Sequence, residues 1–558
     1  MSVDIKNLSV DLNGVRLLDN VTLEVKDGER VGLVGSTGSG KSMLLRAITG
    51  LLPKNAEISG SLIVGTKQVV GAKDEDLALM RGKYVGVVFQ QANRALNPLL
   101  SVEQQVSLPL LMHYNLDSHD VHDRVISMLQ KVGLSSKLAS KRTYELSGGQ
   151  QQRVGIATAL ITYPRLILAD EPTTALDCVT QRDVLNILTS LVDDMGASML
   201  FVTHDFSVLS HAVNRCYVLD SSRVVDSAKV KDLLENPSVK STKQLVYAAR
   251  KLSLSGAGVG GGVGCRGVVG GAAGSIVAND TRATECSSVK NSAESSPAES
   301  NSAKCSLICA KNIHVKFGKS KNCSEVLKGV DLELNSGESL AIIGGSGSGK
   351  TTLIKALLGL QETSSGSITY DCESIKNSVS KLRKESSLVF QHPFASLDPK
   401  WTVQKSVAEP LEIWKKQLHI DSTSIHSKVK LALKTVGLDP LIFAKKYPHE
   451  LSGGQAQCVA IARALISNPR ILVADEPMSA IDVAERMRIL DVFTKVRCEN
   501  KSMTCIFVSH DLGMIQYLAT RVIVLNEGKV VESGRVNEVL NNPKHAYTKS
   551  LIKAATLY

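Results

Sequence analysis

A chain of 558 residues is too long for one hydrophobic core and suits two to four domains, and its 43% hydrophobic content is that of ordinary globular protein. A formal charge of +11 fits phosphate, nucleic-acid or anionic-lipid ligands as well as scattered solvated Lys and Arg, while 4% aromatic residues argue against a base-stacking binder of RNA or single strands. No uncharged apolar run reaches the ~18 residues of a membrane span, the amino terminus has charges where a secretory signal needs apolar residues, and 11 cysteines without paired spacing fit a reducing cytosol.

The first informative element is a short apolar strand, RVGLV (30–34), followed by GSTGSGKS from 35 and a helical pattern, MLLRAITGLL (43–52). VVFQQ then carries Gln90. HYNLDSHDVHDR (113–124) sets His119 and His122 three apart among aspartates, which suits a solvated helix start better than a metal site. YELSGGQ (144–150) opens an apolar helix, and RLILADE (165–171) is a buried strand ending in two carboxylates. TALD (174–177) and FVTHD, with His204, complete this part. Residues 251–305 are rich in Gly, Ser, Ala and Asn and read as a flexible linker, with a root-mean-square span of roughly 40 Å.

The same series then recurs: SLAII (339–343), GGSGSGKT from 344, TLIKALLGL (352–360), LVFQH with Gln391, HELSGGQ, RILVADE (470–476), SAID (479–482) and FVSHD with His510. The offset between copies stays between 301 and 309. That is a duplicated domain, expected over 1–250 and 306–558, rather than a short-period solenoid. Near-continuous apolar strands predict a parallel sheet covered on both faces.

Both copies satisfy G-x-x-x-x-G-K-[ST] between a strand and a helix. In Gly35, Ser36, Thr37, Gly38, Ser39, Gly40, Lys41 and Ser42, and again in Gly344, Gly345, Ser346, Gly347, Ser348, Gly349, Lys350 and Thr351, glycines let backbone N–H groups turn inward around phosphate oxygens. Lys41 and Lys350 would reach the β and γ phosphates, and Ser42 and Thr351 would ligate Mg²⁺. Asp170 and Asp475 end apolar strands where an aspartate holds the Mg²⁺ shell. Glu171 and Glu476 follow, placed to orient or deprotonate an attacking water.

Five ordered motifs, twice over, resemble the ATP-binding cassette family across nearly all of both halves. The resemblance implies an α/β fold of two P-loop NTPase domains in tandem, each with a helical subdomain, docked head to tail as an intramolecular dimer around two ATP molecules. It assigns Gln90 and Gln391 to the Mg²⁺ shell and to catalysis, together with His204 and His510. Ser147, Gly148, Gly149 and Gln150 are expected to serve the Lys350 site, and Ser452, Gly453, Gly454 and Gln455 the Lys41 site. Phe317 is expected to stack on adenine in the second half, where the first half has Leu12.

FQQANRALNP (89–98), FQHPFASLDP (390–399) and NPKHAYTKSLIKA (542–554) are similar to the fused ATPases of dipeptide and oligopeptide importers. That narrower resemblance implies ATP and Mg²⁺ as cofactors, two transmembrane permease subunits and a substrate-binding protein as partners, no direct nucleic acid, and a peripheral place on the cytoplasmic face of the cell membrane. Trp401 and Trp414 could touch a permease or pack internally. Cys286, Cys305 and Cys309 lack the spacing of the iron–sulfur motif that some members carry. Rival readings are a nickel importer of the same subfamily, a sugar importer, and a ribosome-acting double cassette, which would need a long charged helical linker.

Overall fold

The computed structural model describes residues 1–173, 176–254, 306–318, 324–478 and 481–556. Most of the expected linker, with Cys286 and Cys305, lies outside the described residues, as do Thr174, Ala175, Ser479 and Ala480 of the two D-loops (TALD and SAID).

Each half forms an α/β unit with two sheets. In the first, a six-stranded sheet runs in the order Arg223–Lys229, Arg215–Asp220, Arg30–Gly35, Ser198–Thr203, Leu166–Asp170, Val85–Val88. All neighbours are parallel except the first pair. The second half repeats this order around Ser339–Ile343. Burial on both faces explains the continuous apolar runs: Leu166 and Leu168 enter one core, while Ile167 and Ala169 enter the other. Ile471 and Val473 divide from Leu472 and Ala474 in the same way.

The expected parallel sheet carries one antiparallel edge pair, and a separate four-stranded antiparallel sheet accompanies it in each half. In the first half this sheet starts with the hairpin Val3–Leu12 and Val15–Val25. Asn13 and Gly14 turn it with φ of 51° and 78°, the paired left-handed residues that a two-residue hairpin needs. The helix expected at 43–52 runs instead over Lys41–Ile48. It starts earlier because Gly40 caps it at the end of the loop. It stops earlier because Gly50, at φ 66°, turns the chain away.

Helical layers rise beside each sheet: Val102–His113, Ser118–Lys131 and Gly148–Leu160 in the first half, and Val403–Leu418, Ser422–Thr435 and Gly453–Leu465 in the second. Asp117 caps the helix carrying His119 and His122, and His122 Nδ1 lies 2.6 Å from Glu103. Lys405 Nζ sits 4.3 Å above the half-buried Trp401 ring, a packing contact within this layer.

The halves touch. The last helix of the first, Lys240–Leu252, packs on Val483–Glu499 and Leu512–Leu518 of the second. A Cβ on Gly513 would stand 1.5 Å from the Leu252 carbonyl oxygen, so glycine permits that approach. The final helix, Ala546–Ala555, packs on Cys178–Asp194 of the first half, where Arg182 donates to the Lys553 carbonyl.

Candidate functional site

The two Gly-rich loops are shaped by their glycines. Gly40 and Gly349 cap the following helices at φ 106° and 101°, in the region that penalises a side chain. At Gly35 and Gly344 a Cβ would stand 2.2 and 2.1 Å from the carbonyl oxygens of Leu219 and Leu525 on the neighbouring strand. Thr37, Gly38, Ser346 and Gly347 form the exposed rim.

Each lysine folds back over its own loop. Lys41 Nζ donates to the Gly35 and Ser36 carbonyls, both at 2.8 Å. Lys350 Nζ donates to those of Gly344 and Gly345, both at 2.9 Å. Burial pushes both ammonium groups below their ordinary range, opposed chiefly by Glu171 at one site and Glu476 at the other.

The carboxylates stand where the apolar strands end. Burial, helped by Glu171, pushes the Asp170 carboxyl up to about 6. Burial also raises Asp475, against the pull of Thr351, whose hydroxyl donates to Asp475 Oδ2 at 3.0 Å. Glu171 and Glu476 leave the strands in the left-handed region, at φ 43° and 46°. Their N–H groups, 2.9 Å from the Val202 and Val508 carbonyls, hold that strained turn.

A triad forms at each site. Gln90 Nε2 donates to Glu171 Oε2 at 2.7 Å, and His204 Nδ1 lies 2.9 Å from Glu171 Oε1. Gln391 Nε2 donates to Glu476 Oε2 at 2.7 Å, with His510 Nδ1 at 3.5 Å from that oxygen. Burial would raise Glu476, but His510 and Lys350 outweigh it and hold the carboxyl below its usual range. The glutamate is thus kept ionised, as a base or water-orienting group requires.

The donor set suits phosphate and a hard cation. Ser39 Oγ, Ser348 Oγ and Asp475 Oδ1 are buried with no hydrogen-bond partner among the described residues, and such atoms normally find one. Hydroxyl and carboxylate oxygens are the ligands magnesium takes. Ser42 and Asp170, or Thr351 and Asp475, could hold it, with Gln90 and Gln391 at the rim.

Each site receives a residue from the opposite half. Asp177 Oδ2 accepts from the Ser346 N–H at 3.1 Å, and Cys178 Sγ lies 3.0 Å from the His510 carbonyl. Asp482 lies close enough to Lys41 to raise it electrostatically. The cleft at Lys350 is walled by Ser346, Gly347, Gly349, Thr351, Gln391, Glu476 and His510, and by Asp177. Ser147, Gly148, Gly149 and Gln150 do not line it. Ser147 and Ser452 instead cap the helices they open, each in a reciprocal box with Gln150 or Gln455.

Around the capped turns the halves differ. A Cβ on Gly149 would meet Thr180 at 2.6 Å, whereas one on Gly454 would meet the Glu485 carboxylate at 2.6 Å. Arg153 reaches the Gly133 carbonyl, and Cys458 is buried at the matching place. Phe317 is 44% exposed at the end of its strand, and Leu12 ends the matching strand. Thr180 and Glu485 belong to none of the sequence motifs, and Tyr547 lies in the C-terminal segment NPKHAYTKSLIKA with no role that the motif assigns. Aligning the copies residue by residue beyond the motifs would have exposed all three.

Comparison with known proteins follows the same duplication. The family model for the ABC transporter matches twice, at residues 18–174 and 327–479. The chain is 33% identical to the peptidoglycan transport ATP-binding protein YejF of Agrobacterium fabrum, over 96% of this chain and 92% of that protein. It is 34% identical to the oligopeptide transport ATP-binding protein OppD of Mycobacterium bovis, over 98% and 96%. It is 32% identical to the glutathione import ATP-binding protein GsiA of Pectobacterium atrosepticum, over 99% and 89%.

Proposed function

The chain belongs to the ABC transporter family, and from that premise we propose that it is the double ATP-hydrolysing subunit of an importer for oligopeptides. The carrying observation is the repeated Gln–Glu–His triad beside a phosphate loop, with Asp177 reaching across to the Ser346 N–H. Two complete sites that share residues across an interface suit hydrolysis coupled to closure and reopening. The relatives are named for oligopeptide, glutathione and peptidoglycan transport, which favours a peptide-type solute over nickel or a ribosomal role.

In each site the loop N–H groups and the lysine would bind the β and γ phosphates of ATP. The lysine would exchange its loop carbonyls for phosphate oxygens. Ser42 and Asp170, or Thr351 and Asp475, would hold magnesium, which would supply positive charge against the phosphates. Glu171 and Glu476 would orient the attacking water, each steadied by its glutamine and histidine. The signature turns Ser147–Gln150 and Ser452–Gln455 would close on the γ phosphate of the opposite site when ATP draws the halves together. One chain holding both halves keeps that closure intramolecular.

Among the described residues no helix is long and apolar enough to cross a membrane. Transport therefore needs membrane partners, which we assign as two permeases fed by a binding protein, with this chain peripheral on the cytoplasmic side. The test is uptake of a radiolabelled tripeptide by cells lacking the gene. Uptake restored by the full chain, and not by Lys41→Ala with Lys350→Ala, is expected. Normal uptake without the gene, alongside lost uptake of another solute, would redirect the substrate assignment.

A further inference from the structure

The Gly345 peptide is gripped at both ends. Its carbonyl accepts from Lys350 Nζ at 2.9 Å. Its N–H donates to the Tyr547 hydroxyl at 2.7 Å, and Tyr547 is not among the residues that wall the cleft. The next N–H, of Ser346, donates to Asp177 at 3.1 Å. When phosphate draws Lys350 off the loop, the Ser348 N–H stays on the Gly345 carbonyl at 3.2 Å, and Tyr547 and Asp177 are the grips that reach this corner from outside the loop.

Resting on the reading of the Lys350 cleft as an ATP site, we propose that Tyr547 is a positioning residue that pre-shapes this phosphate loop and ties it to the first half. Three observations carry it. A Cβ on Gly345 would stand 2.9 Å from the Tyr547 hydroxyl, so the glycine is what lets the phenol approach. Tyr547 opens the helix Ala546–Ala555, which packs on the Cys178–Asp194 helix that Asp177 caps. The far end of that helix is bound to the first half as well, through Arg182 on the Lys553 carbonyl and the bridge between Leu254 and Thr556. One short helix thus joins the second phosphate loop to the Cys178–Asp194 helix of the first half.

The first half lacks the device. Ser241 stands at the place of Tyr547 in the aligned tails, and its hydroxyl donates to Asp220 at 2.6 Å. The coupling therefore acts on the Lys350 site alone. A loop already held in its binding shape loses less freedom when nucleotide arrives, so the grip is felt as affinity.

The test uses the full chain with Lys41→Ala, so that trinitrophenyl-ATP titrated with Mg²⁺ reports the Lys350 cleft. Tyr547→Phe keeps the ring and removes only the hydroxyl. Loss of one half-buried hydrogen bond should weaken binding about three- to tenfold, with the melting temperature of the nucleotide-free chain unchanged. Ser241→Ala in a Lys350→Ala chain should leave the Lys41 affinity within twofold. Tyr547→Phe affinity within twofold of its parent overturns the proposal, as does a weakening matched by a lower melting temperature, which marks a packing role. Absence of binding by the Lys41→Ala parent itself would instead overturn the ATP-site reading beneath it.

Discussion

Alanine at Asp177 and at Asp482 should separate a helix cap from a contact between halves. Both aspartates open a long helix: Asp177 accepts from the Thr180 N–H at 3.1 Å and Asp482 from the Glu485 N–H at 2.9 Å. Each substitution therefore forfeits a cap worth about 1 kcal/mol. Asp177 also accepts from the Ser346 N–H across the interface, whereas Asp482 acts on Lys41 by charge at longer range. A hydrogen bond to a buried carboxylate is worth about 1.5–3 kcal/mol. The excess penalty for Asp177→Ala should then be roughly 10- to 100-fold in kcat/KM for ATP. The assay is steady-state hydrolysis in chains with one working site, Asp177→Ala beside Glu171→Gln and Asp482→Ala beside Glu476→Gln, each against its own parent. Melting should fall in both, and further in Asp177→Ala, which also loses the Thr180 hydroxyl and the Ser346 N–H. Asp177→Asn, which keeps the cap and an acceptor, should lie between parent and alanine. Equal fold losses in the two alanine chains would refute the claim that Asp177 completes the Lys350 site.

Other outcomes follow from the differences between halves. Glu476→Gln should cut turnover more than Glu171→Gln, because the proposed closure would bring Leu12, Cys458, Ile481 and Glu485 onto the Lys41 site; equal losses with permease present would count against unequal sites. Leu12→Tyr should tighten ATP at the Lys41 site about fivefold, the low end of base–aromatic stacking at about 1–3 kcal/mol; nucleotide titration of a Lys350→Ala chain reads it, and an unchanged affinity would remove the stacking argument. Gly513→Ala should force the Leu252 carbonyl away at a cost of about 1–3 kcal/mol, seen as a melting point lower by a few degrees; an unchanged melt would contradict the close approach of the two halves.

The duplication and its chemistry were legible because they depend on local rules. A Gly-rich loop needs its glycines at fixed spacing, and a strand buried on both faces must be apolar throughout, so Ser339–Ile343 could be read to the residue. The helix after each loop was placed too late because the periodic pattern masks a cap at Gly40 and a left-handed turn at Gly50. The antiparallel sheet was missed although Asn13-Gly14 is a strong hairpin signal. Contacts between halves were less legible still. Asp177 on Ser346 and Tyr547 on Gly345 join residues 169 and 202 positions apart, and no periodicity encodes such a meeting. The resemblance named the signature turns for the clefts, yet here they cap their own helices, and the pairing is part of the proposed closure around nucleotide.

The most direct measurement is ATP hydrolysis by the purified full chain with and without Mg²⁺, beside the chain carrying Lys41→Ala and Lys350→Ala. The account predicts Mg²⁺-dependent phosphate release from the unaltered chain and background release from the double variant at an unchanged melting temperature. Hydrolysis retained by the folded double variant would contradict it.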